Sequence, residues 1–279
     1  RRGDLGHRHH TRRHHVDGGP GCIAPIAAAA SREPFFMGVG FLKPHLPFVA
    51  PKKYWDLYQR DNIPLPDPAA WPENTDRIAW HNSREILGWG DKPRKLSLDS
   101  VKELRHGYLA GTSYMDAQLG KVIDALDRLD LRKNTVIVFW SDHGYHLGEH
   151  SLWAKTSNFE LDTHIPFLIS VPKMADPGKQ ATSPVELLDI FPTLSDLCGL
   201  PTVKGLEGCS LINLLENASS IAKEAAISQF PRPAYYTKVP EFMGYTARTA
   251  THRYSEWRDW KTGKVVAREL YNHLTDNKE

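Results

Sequence analysis

Residues 135–150 read TVIVFWSDHGYHLGEH, and this stretch decides the fold that we expect. Its first part, TVIVFWS, is rich in β-branched and aromatic residues, which is typical of a buried strand. The ten residues from Ser141 to His150 then contain three histidines and two carboxylates. Because a helical pattern precedes the strand, the order of helix, strand and polar loop favours a parallel α/β sheet. In such sheets ligands bind beyond the carboxyl ends of strands, so the polar segment is a candidate site.

The composition is that of a globular protein large enough for one α/β domain with a smaller appendage. The chain has 279 residues, of which 41% are hydrophobic and 24% are charged. No stretch approaches the roughly 18 consecutive apolar residues of a membrane span, so we expect no membrane partner. The cysteines, Cys22, Cys198 and Cys209, form neither a C-x-x-C pair nor a disulfide framework. A pairing of Cys198 with Cys209 across a short loop stays open.

The positive charge is concentrated at the start of the chain. Residues 1–15, RRGDLGHRHHTRRHH, hold five arginines and one aspartate, whereas the whole chain has a net charge of only +2. The basic character therefore belongs to this segment, and we predict no nucleic-acid partner. We interpret residues 1–32 as an atypical segment, disordered or non-native, and leave them out of the fold prediction.

Apolar patterns predict two further strands and a long helix. Residues 35–41, FFMGVGF, lack polar alternation, which is typical of a strand covered on both faces. Prolines at positions 44, 47 and 51 then place His45 on a rigid loop after that strand. Three- and four-residue spacings predict one long helix, or two in tandem, over residues 99–129. Residues 164–171, HIPFLISV, predict the other strand.

The C-terminal part begins with a helix and continues as strands. In residues 183–201 we expect Ser183 as N-cap, Glu186 closing a capping box, and Pro192 kinking or dividing the helix. Residues 224–230, 244–259 and 265–272 predict a small antiparallel sheet with a turn at KTGK. We place the domain boundary near Asn217, so that residues 33–217 form the main domain and 218–279 a small α+β subdomain.

Four side chains in these segments are candidates for a site that binds a divalent cation and an oxyanion. Asp142 and His143 can ligate one divalent cation if the chain turns at Gly144, although Ca²⁺ takes six or more oxygens and further ligands are then required. A hydrogen-bonded polar turn is the alternative for this pair. Lys155 suits a tetrahedral oxyanion such as sulfate or phosphate, and His45 suits a general acid. A solvated lysine and a loop histidine held by hydrogen bonds are the respective alternatives.

Several segments together resemble the formylglycine-dependent sulfatases, most closely the iduronate-2-sulfatase-like branch. They are GFLKPHLPF, SDHGYHLGEHSLWAKTSNFE, HIPFLISVP, VELLDIFPTLSDLCGLP, SQFPRP and MGYTARTATHRYSEWRD. The resemblance implies an alkaline-phosphatase-like α/β fold with a mostly parallel central sheet, incomplete here, and a small C-terminal antiparallel subdomain. It also implies a sulfuric ester hydrolase whose substrate is a sulfated carbohydrate. The family further implies that the enzyme is exported to the periplasm or cell exterior, or is lysosomal.

The resemblance assigns a role to individual residues. It implies that Asp142 and His143 bind the active-site Ca²⁺, and that Lys155 contacts the sulfate. It implies that His45 contacts the sulfate or protonates the departing sugar oxygen. Tyr145 and His146, in the same loop as the metal pair, are implied to face the substrate.

The sequence also departs from the family. The family's nucleophile is a formylglycine made from the cysteine of a C-x-P-x-R motif, and this sequence contains no such motif; Cys22 precedes Pro25, but no arginine follows. We therefore interpret residues 33–217 as the C-terminal part of a sulfatase catalytic domain, in an incomplete chain that is inactive alone. A phosphate ester hydrolase of the same superfamily and a non-catalytic metal- or glycan-binding remnant stay open, as does the oligomeric state.

Overall fold

The structure, a computed structural model, describes residues 34–87, 96–174, 177–235 and 238–279. The interpretation of residues 1–32, including Cys22, lies outside these ranges. The described residues divide into two compact units, one comprising 34–63 with 102–135, and the other comprising the described parts of 64–101 and 136–279. The boundary near Asn217 stays a prediction.

The helices and strands follow one another along the chain. The helices are α1 (Lys52–Trp55), α2 (Arg84–Leu87), α3 (Leu98–Arg128), α4 (Glu160–Thr163), α5 (Ile190–Leu197) and α6 (Ile212–Glu216). The strands are β1 (Ile137–Trp140), β2 (His146–Leu147), β3 (Trp153–Ala154), β4 (Phe167–Ser170), β5 (Ala225–Arg232), β6 (Phe242–Thr249), β7 (His252–Asp259) and β8 (Val265–Asn272).

The first unit is built on α3, which confirms the predicted helix as a single element of 31 residues. The loop before α1 packs closely on this helix, because a Cβ atom at Gly107 would lie 2.8 Å from Cβ of Phe48. The strand predicted at residues 35–41 is wrong: no described strand pairs with it, and Phe36 is 73% exposed. A strand requires a neighbour for its backbone hydrogen bonds, so this segment is irregular.

Strands β1 and β4 of the second unit pair antiparallel, with Ile137 opposite Ser170 and Trp140 opposite Phe167. Both predicted strands are therefore present, but the mostly parallel sheet expected from the sequence is not found among the described strands, whose sheets are antiparallel. A parallel connection needs a crossover of a dozen or more residues, usually a helix. The segment between β1 and β4 is long enough for such a crossover, but it contains the β2–β3 hairpin and the four-residue α4 in place of a crossover helix.

The second unit ends in a four-stranded antiparallel sheet of order β5-β6-β7-β8, which confirms the predicted C-terminal sheet. Trp257 of β7 is fully buried and packs with Ala79, Leu152 and Phe159 in the core of this unit. Gly244 lies opposite Trp257, and a Cβ atom there would come within 2.6 Å of its indole ring. The close approach of β6 to this core therefore requires glycine at position 244.

The start of the predicted helix at residues 183–201 differs from the expectation. Glu186, not Ser183, is the N-cap, and it forms a reciprocal capping box with Asp189 in a 3₁₀ turn that continues into α5. Pro192 lies in the first turn of α5, where a missing N–H costs no intrahelical hydrogen bond, so it does not kink that helix. The helical segment is divided just before it, where the 3₁₀ turn ends. Cys198 and Cys209 are free thiols.

Within the described ranges, none of the helices has the length and apolar character needed to cross a bilayer.

Candidate functional site

Asp142 and His143 lie directly after the end of β1, where the sequence predicts them. The side chain of Asp142 is 85% exposed, and its Oδ2 lies 3.7 Å from Nε2 of His143. Nδ1 of His143 donates to the carbonyl oxygen of Gly144 at 2.6 Å, so Nε2 is the ring nitrogen on the side of Asp142.

This geometry fits two ligands of one cation. Two atoms that each bind a Ca²⁺ ion at about 2.3–2.6 Å lie about 3–4 Å apart when they are adjacent in its coordination shell. The 3.7 Å separation of Oδ2 of Asp142 and Nε2 of His143 falls in that range. A carbonyl that fixes the tautomer of a histidine is also the usual support for a metal-binding imidazole.

The turn at Gly144 holds this pair against the segment that contains α4. The N–H of Gly144 donates to the carbonyl oxygen of Asp162 at 2.8 Å, and that of Tyr145 donates to Leu161 at 2.7 Å. A Cβ atom on Gly144 would lie 1.9 Å from the oxygen of Leu161. Only glycine fits at this position because the two backbones are in direct contact.

Tyr145 and His146 point to different environments. The ring of Tyr145 stacks on that of His143, with 6.5 Å between centroids and 26° between planes. His146 is fully buried, and its Nδ1 lies 2.7 Å from Oδ1 of Asp162. His146 is thus enclosed by the protein, and the substrate contacts predicted for Tyr145 and His146 stay predictions.

Lys155 follows β3 and is paired with a carboxylate. Its Nζ lies 2.8 Å from the carboxylate of Glu85 in α2, and the two side chains are 17% and 25% exposed. An anion that binds Lys155 therefore competes with Glu85.

His45 lies in the other compact unit, on an exposed turn in which its N–H donates to Leu42 at 3.0 Å. Its Nδ1 donates to the carbonyl oxygen of Leu46 at 2.7 Å. The second unit thus brings Asp142, His143 and Tyr145 together, whereas the role of His45 stays a prediction.

Sequence reasoning missed Glu85 and Asp162. Glu85 precedes Lys155 by 70 residues in a segment without a clear period, and no motif marks it. Asp162 lies in NFELDTH, where two carboxylates, Glu160 and Asp162, stand among other polar residues, a composition that is typical of a solvated segment. Neither residue carries a sequence signal of its contacts.

A second group of possible metal ligands consists of Glu160, His273 and Glu279, whose ligand atoms lie within 4.8 Å of one another. Arg248 and Arg253 donate to Glu160, and Arg253 also donates to Glu279. Burial raises the pKa of Glu160, but hydrogen bonds and the nearby cations hold it well below its usual value. The group is therefore an ion-pair network, in which arginine side chains already compensate the negative charge of the carboxylates.

Two family models match the chain. The model described as Sulfatase matches residues 23–200, and the model described as N-sulphoglucosamine sulphohydrolase, C-terminal, matches residues 148–279.

Curated relatives extend the comparison. Iduronate 2-sulfatase of Homo sapiens is 32% identical over an alignment 302 residues long. This alignment covers 85% of this chain and 54% of the relative. Choline-sulfatase of Rhizobium meliloti (strain 1021) is 35% identical over 202 residues, which cover 70% of this chain and 39% of the relative. The chain thus spans about half or less of the length of these relatives.

Solved structures share the fold. The phosphonate monoester hydrolase from Silicibacter pomeroyi superposes with a TM-score of 0.74 at 25% identity, covering 91% of this chain and 52% of its own. A protein in complex with its substrate D-glucosamine-2-N,6-O-disulfate superposes with a TM-score of 0.75 at 19% identity, covering 92% and 63%. These neighbours support the alkaline-phosphatase-like fold expected from the sequence.

Proposed function

The chain belongs to the sulfatase family, and we propose that it forms part of a sulfuric ester hydrolase that acts on carbohydrate sulfates. The observation that carries this proposal is the 3.7 Å separation of Asp142 Oδ2 and His143 Nε2 at the end of β1. The iduronate 2-sulfatases among its relatives support a substrate of the sulfated uronate type. We also propose export or lysosomal delivery, as the resemblance to the family implies.

Asp142 and His143 would hold the divalent cation, which we propose to be Ca²⁺. Because Ca²⁺ takes six to eight oxygen ligands, further carboxylates are needed beside this pair. When bound, the cation stabilises charge on the transferred group and favours ionisation of the attacking hydroxyl. Nδ1 of His143 stays protonated against Gly144, so the ring presents the same nitrogen throughout.

We propose a separate role for each of Lys155 and His45 in this reaction. Nζ of Lys155 would exchange Glu85 for a sulfate oxygen, which places a compact charge on the group that becomes more negative. His45 would give the proton on Nε2 to the departing sugar oxygen, which then leaves as a neutral alcohol. The family's nucleophile, formylglycine, would come from a C-x-P-x-R motif that this sequence does not contain.

A phosphate or phosphonate ester hydrolase is the second candidate. The phosphonate monoester hydrolase with a TM-score of 0.74 favours it, because a cation and a lysine neutralise phosphate oxygens equally well. The sulfatase relatives favour the first candidate, since they match over 85% of the chain at 32% identity. A non-catalytic metal- or glycan-binding protein is a third candidate.

The test restores a complete active site and measures both ester types. The chain is co-expressed with the N-terminal part of an iduronate-2-sulfatase-like enzyme and with the machinery that matures formylglycine. We expect sulfate release from an aryl sulfate and a sulfated uronate, none from the chain alone, and none from Asp142→Asn. Faster release of phosphate than of sulfate would favour the second candidate. A folded, matured complex without hydrolysis of either ester would contradict both.

A further inference from the structure

We infer that the buried carboxylate of Asp162 is a positioning residue that fixes the metal pair, Asp142 and His143, relative to Lys155. The inference rests on the proposed function for the roles of those residues. Asp162 itself is 2% exposed and contacts none of the reacting groups, so it acts through the chain segments that carry them.

The two oxygens of this carboxylate reach the two ends of one loop. Oδ1 lies 2.7 Å from Nδ1 of His146, which is three residues after His143. Oδ2 accepts from both the N–H and the Oγ of Ser157, at 2.7 and 2.6 Å, and Ser157 is two residues after Lys155. One side chain therefore joins the segment that follows the metal pair to the segment that follows the lysine.

The backbone of Asp162 adds a third attachment, at the turn between metal pair and His146. Its carbonyl oxygen accepts the N–H of Gly144 at 2.8 Å. There is no room for this turn to shift inward, because even a methyl group on Gly144 would lie 1.9 Å from the oxygen of Leu161. The carboxylate and carbonyl of Asp162 together thus hold the loop at three points.

The electrostatic environment keeps this carboxylate charged. Burial raises the pKa of Asp162, but the charge and hydrogen bond of His146, together with the hydrogen bond of Ser157, lower it below its usual value. Hydrogen bonds to an ionised acceptor are about twice as strong as neutral ones. An asparagine at position 162 would fill nearly the same space and lose that charge.

A second buried carboxylate in the same unit provides a matched control. Asp189 is fully buried and accepts from the N–H of Glu186, the N–H of Cys209 and Nζ of Lys223, each at 2.8 Å. Its contacts thus equal those of Asp162 in number and burial, but they join segments without a proposed site residue. Asp189→Asn therefore reports the general cost of removing a buried carboxylate.

The first test is amide hydrogen exchange on the full chain. In Asp162→Asn we expect the amides of Gly144, Tyr145 and Ser157 to exchange about ten-fold faster relative to those of β6 and β7. In Asp189→Asn the same three ratios should stay within about two-fold of the wild-type values. Unchanged ratios in Asp162→Asn, or equal acceleration in both variants, would overturn the inference.

The second test uses Mn²⁺ alone as a paramagnetic probe of the metal pair. We expect selective broadening of the His143 ring signals in the wild type and in Asp189→Asn, and much less in Asp162→Asn and Asp142→Asn. Full broadening in a folded Asp162→Asn would count against a positioning role. Absence of broadening in the wild type would contradict the proposed metal pair, while the exchange ratios would still decide the role of Asp162.

A milder variant guards against misfolding of Asp162→Asn. Ser157→Ala removes the hydroxyl contact to Oδ2, together with the longer contact of 3.4 Å that the hydroxyl accepts from the N–H of Phe159, and leaves the N–H contact to Oδ2 in place. We expect a smaller acceleration at Gly144 and Tyr145, in the same direction. If neither amide responds, position 157 is not coupled to the metal-pair turn through Asp162 and the inference fails.

Discussion

Nζ of Lys155 lies 2.8 Å from the carboxylate of Glu85, so the cation proposed to bind sulfate already has an anionic partner. Both side chains are partly buried, and their attraction is less screened than that of a fully exposed pair. The affinity of Lys155 for an oxyanion is therefore set partly by how readily Glu85 is displaced.

Glu85→Gln is expected to raise the affinity of the chain for inorganic sulfate about five-fold, which corresponds to about 1 kcal/mol. The substitution keeps the shape of the side chain and removes its charge. The measurement is a sulfate titration followed by the NMR signals of Lys155, at ionic strength held constant with chloride. Lys155→Met is the control and should lose the response. Equal affinities in Glu85→Gln and the wild type would contradict the competition.

Gly144→Ala is expected to destabilise the fold by about 3 kcal/mol, because its Cβ would lie 1.9 Å from the oxygen of Leu161. Gly120→Ala in α3 is the control, since no atom lies within 4 Å of its added Cβ. A helix-interior alanine is favoured over glycine by about 1 kcal/mol, so this variant should be slightly more stable. Urea unfolding measures both, and a neutral Gly144→Ala would show that the turn can move.

Glu269→Gln should be more stable than the wild type at alkaline pH. Burial raises the pKa of Glu269 to about 7, above its ordinary value of 4.5. The folded state then holds this proton more tightly than the unfolded state, so the contribution is fully present below pH 4.5 and is lost as the pH rises through 7. The difference corresponds to about 3 kcal/mol.

The measurement for Glu269→Gln is urea unfolding at pH 4.5 and pH 8. The variant keeps an acceptor for Nε1 of Trp257, which lies 3.0 Å from Oε1. Its advantage should appear at pH 8 and vanish at pH 4.5. Glu241→Gln, at an exposed position, is the control. An advantage of equal size at both pH values would contradict the titration of Glu269.

His81→Asn should resist acid better than the wild type. Burial first, and then the charge of Arg232, lower the pKa of His81 from 6.5 to about 3. The unfolded state therefore binds the extra proton between these values, and stability is lost as the pH falls from 6.5 towards 3. At pH 4.5 the loss is about 3 kcal/mol.

The variant His81→Asn retains an acceptor for the N–H of Ser83, which donates to Nδ1 of His81 at 3.1 Å. Urea unfolding at pH 7 and at pH 4.5 should show a smaller loss in the variant than in the wild type. Parallel losses would mean that His81 does not titrate in this range. Glu269 and His81 act in opposite directions between pH 4.5 and 6.5, so only the single variants separate them.

The sequence predicted those elements whose pattern is local. The long helix α3 and the four C-terminal strands follow from periodic apolar residues and a turn at KTGK, and they are present. The antiparallel pairing of β1 with β4 was not predictable in this way, because pairing direction depends on the connection between the strands. The segment at residues 35–41 has a strand-like composition but no described partner strand.

The candidate site likewise contains some residues that the sequence predicted and others that it did not. Asp142, His143 and Gly144 are recognisable because they follow a strand end directly. The partnership of Lys155 with Glu85 spans 70 residues, and nothing in either local segment signals it. The local sequence does not predict the role of Asp162 either, since its burial and its contacts with His146 and Ser157 result from tertiary packing.

The attachments of Asp162 also set an order of assembly. It contacts Ser157 across five residues and His146 across sixteen, whereas Glu85 and Lys155 are separated by 70. Because the entropy of closing a loop grows with its length, we expect the short-range contacts to form at a lower cost in chain entropy, and before the long-range one. We therefore expect the loop that contains Asp142 and His143 to take its shape early in folding, and Glu85 to pair with Lys155 later.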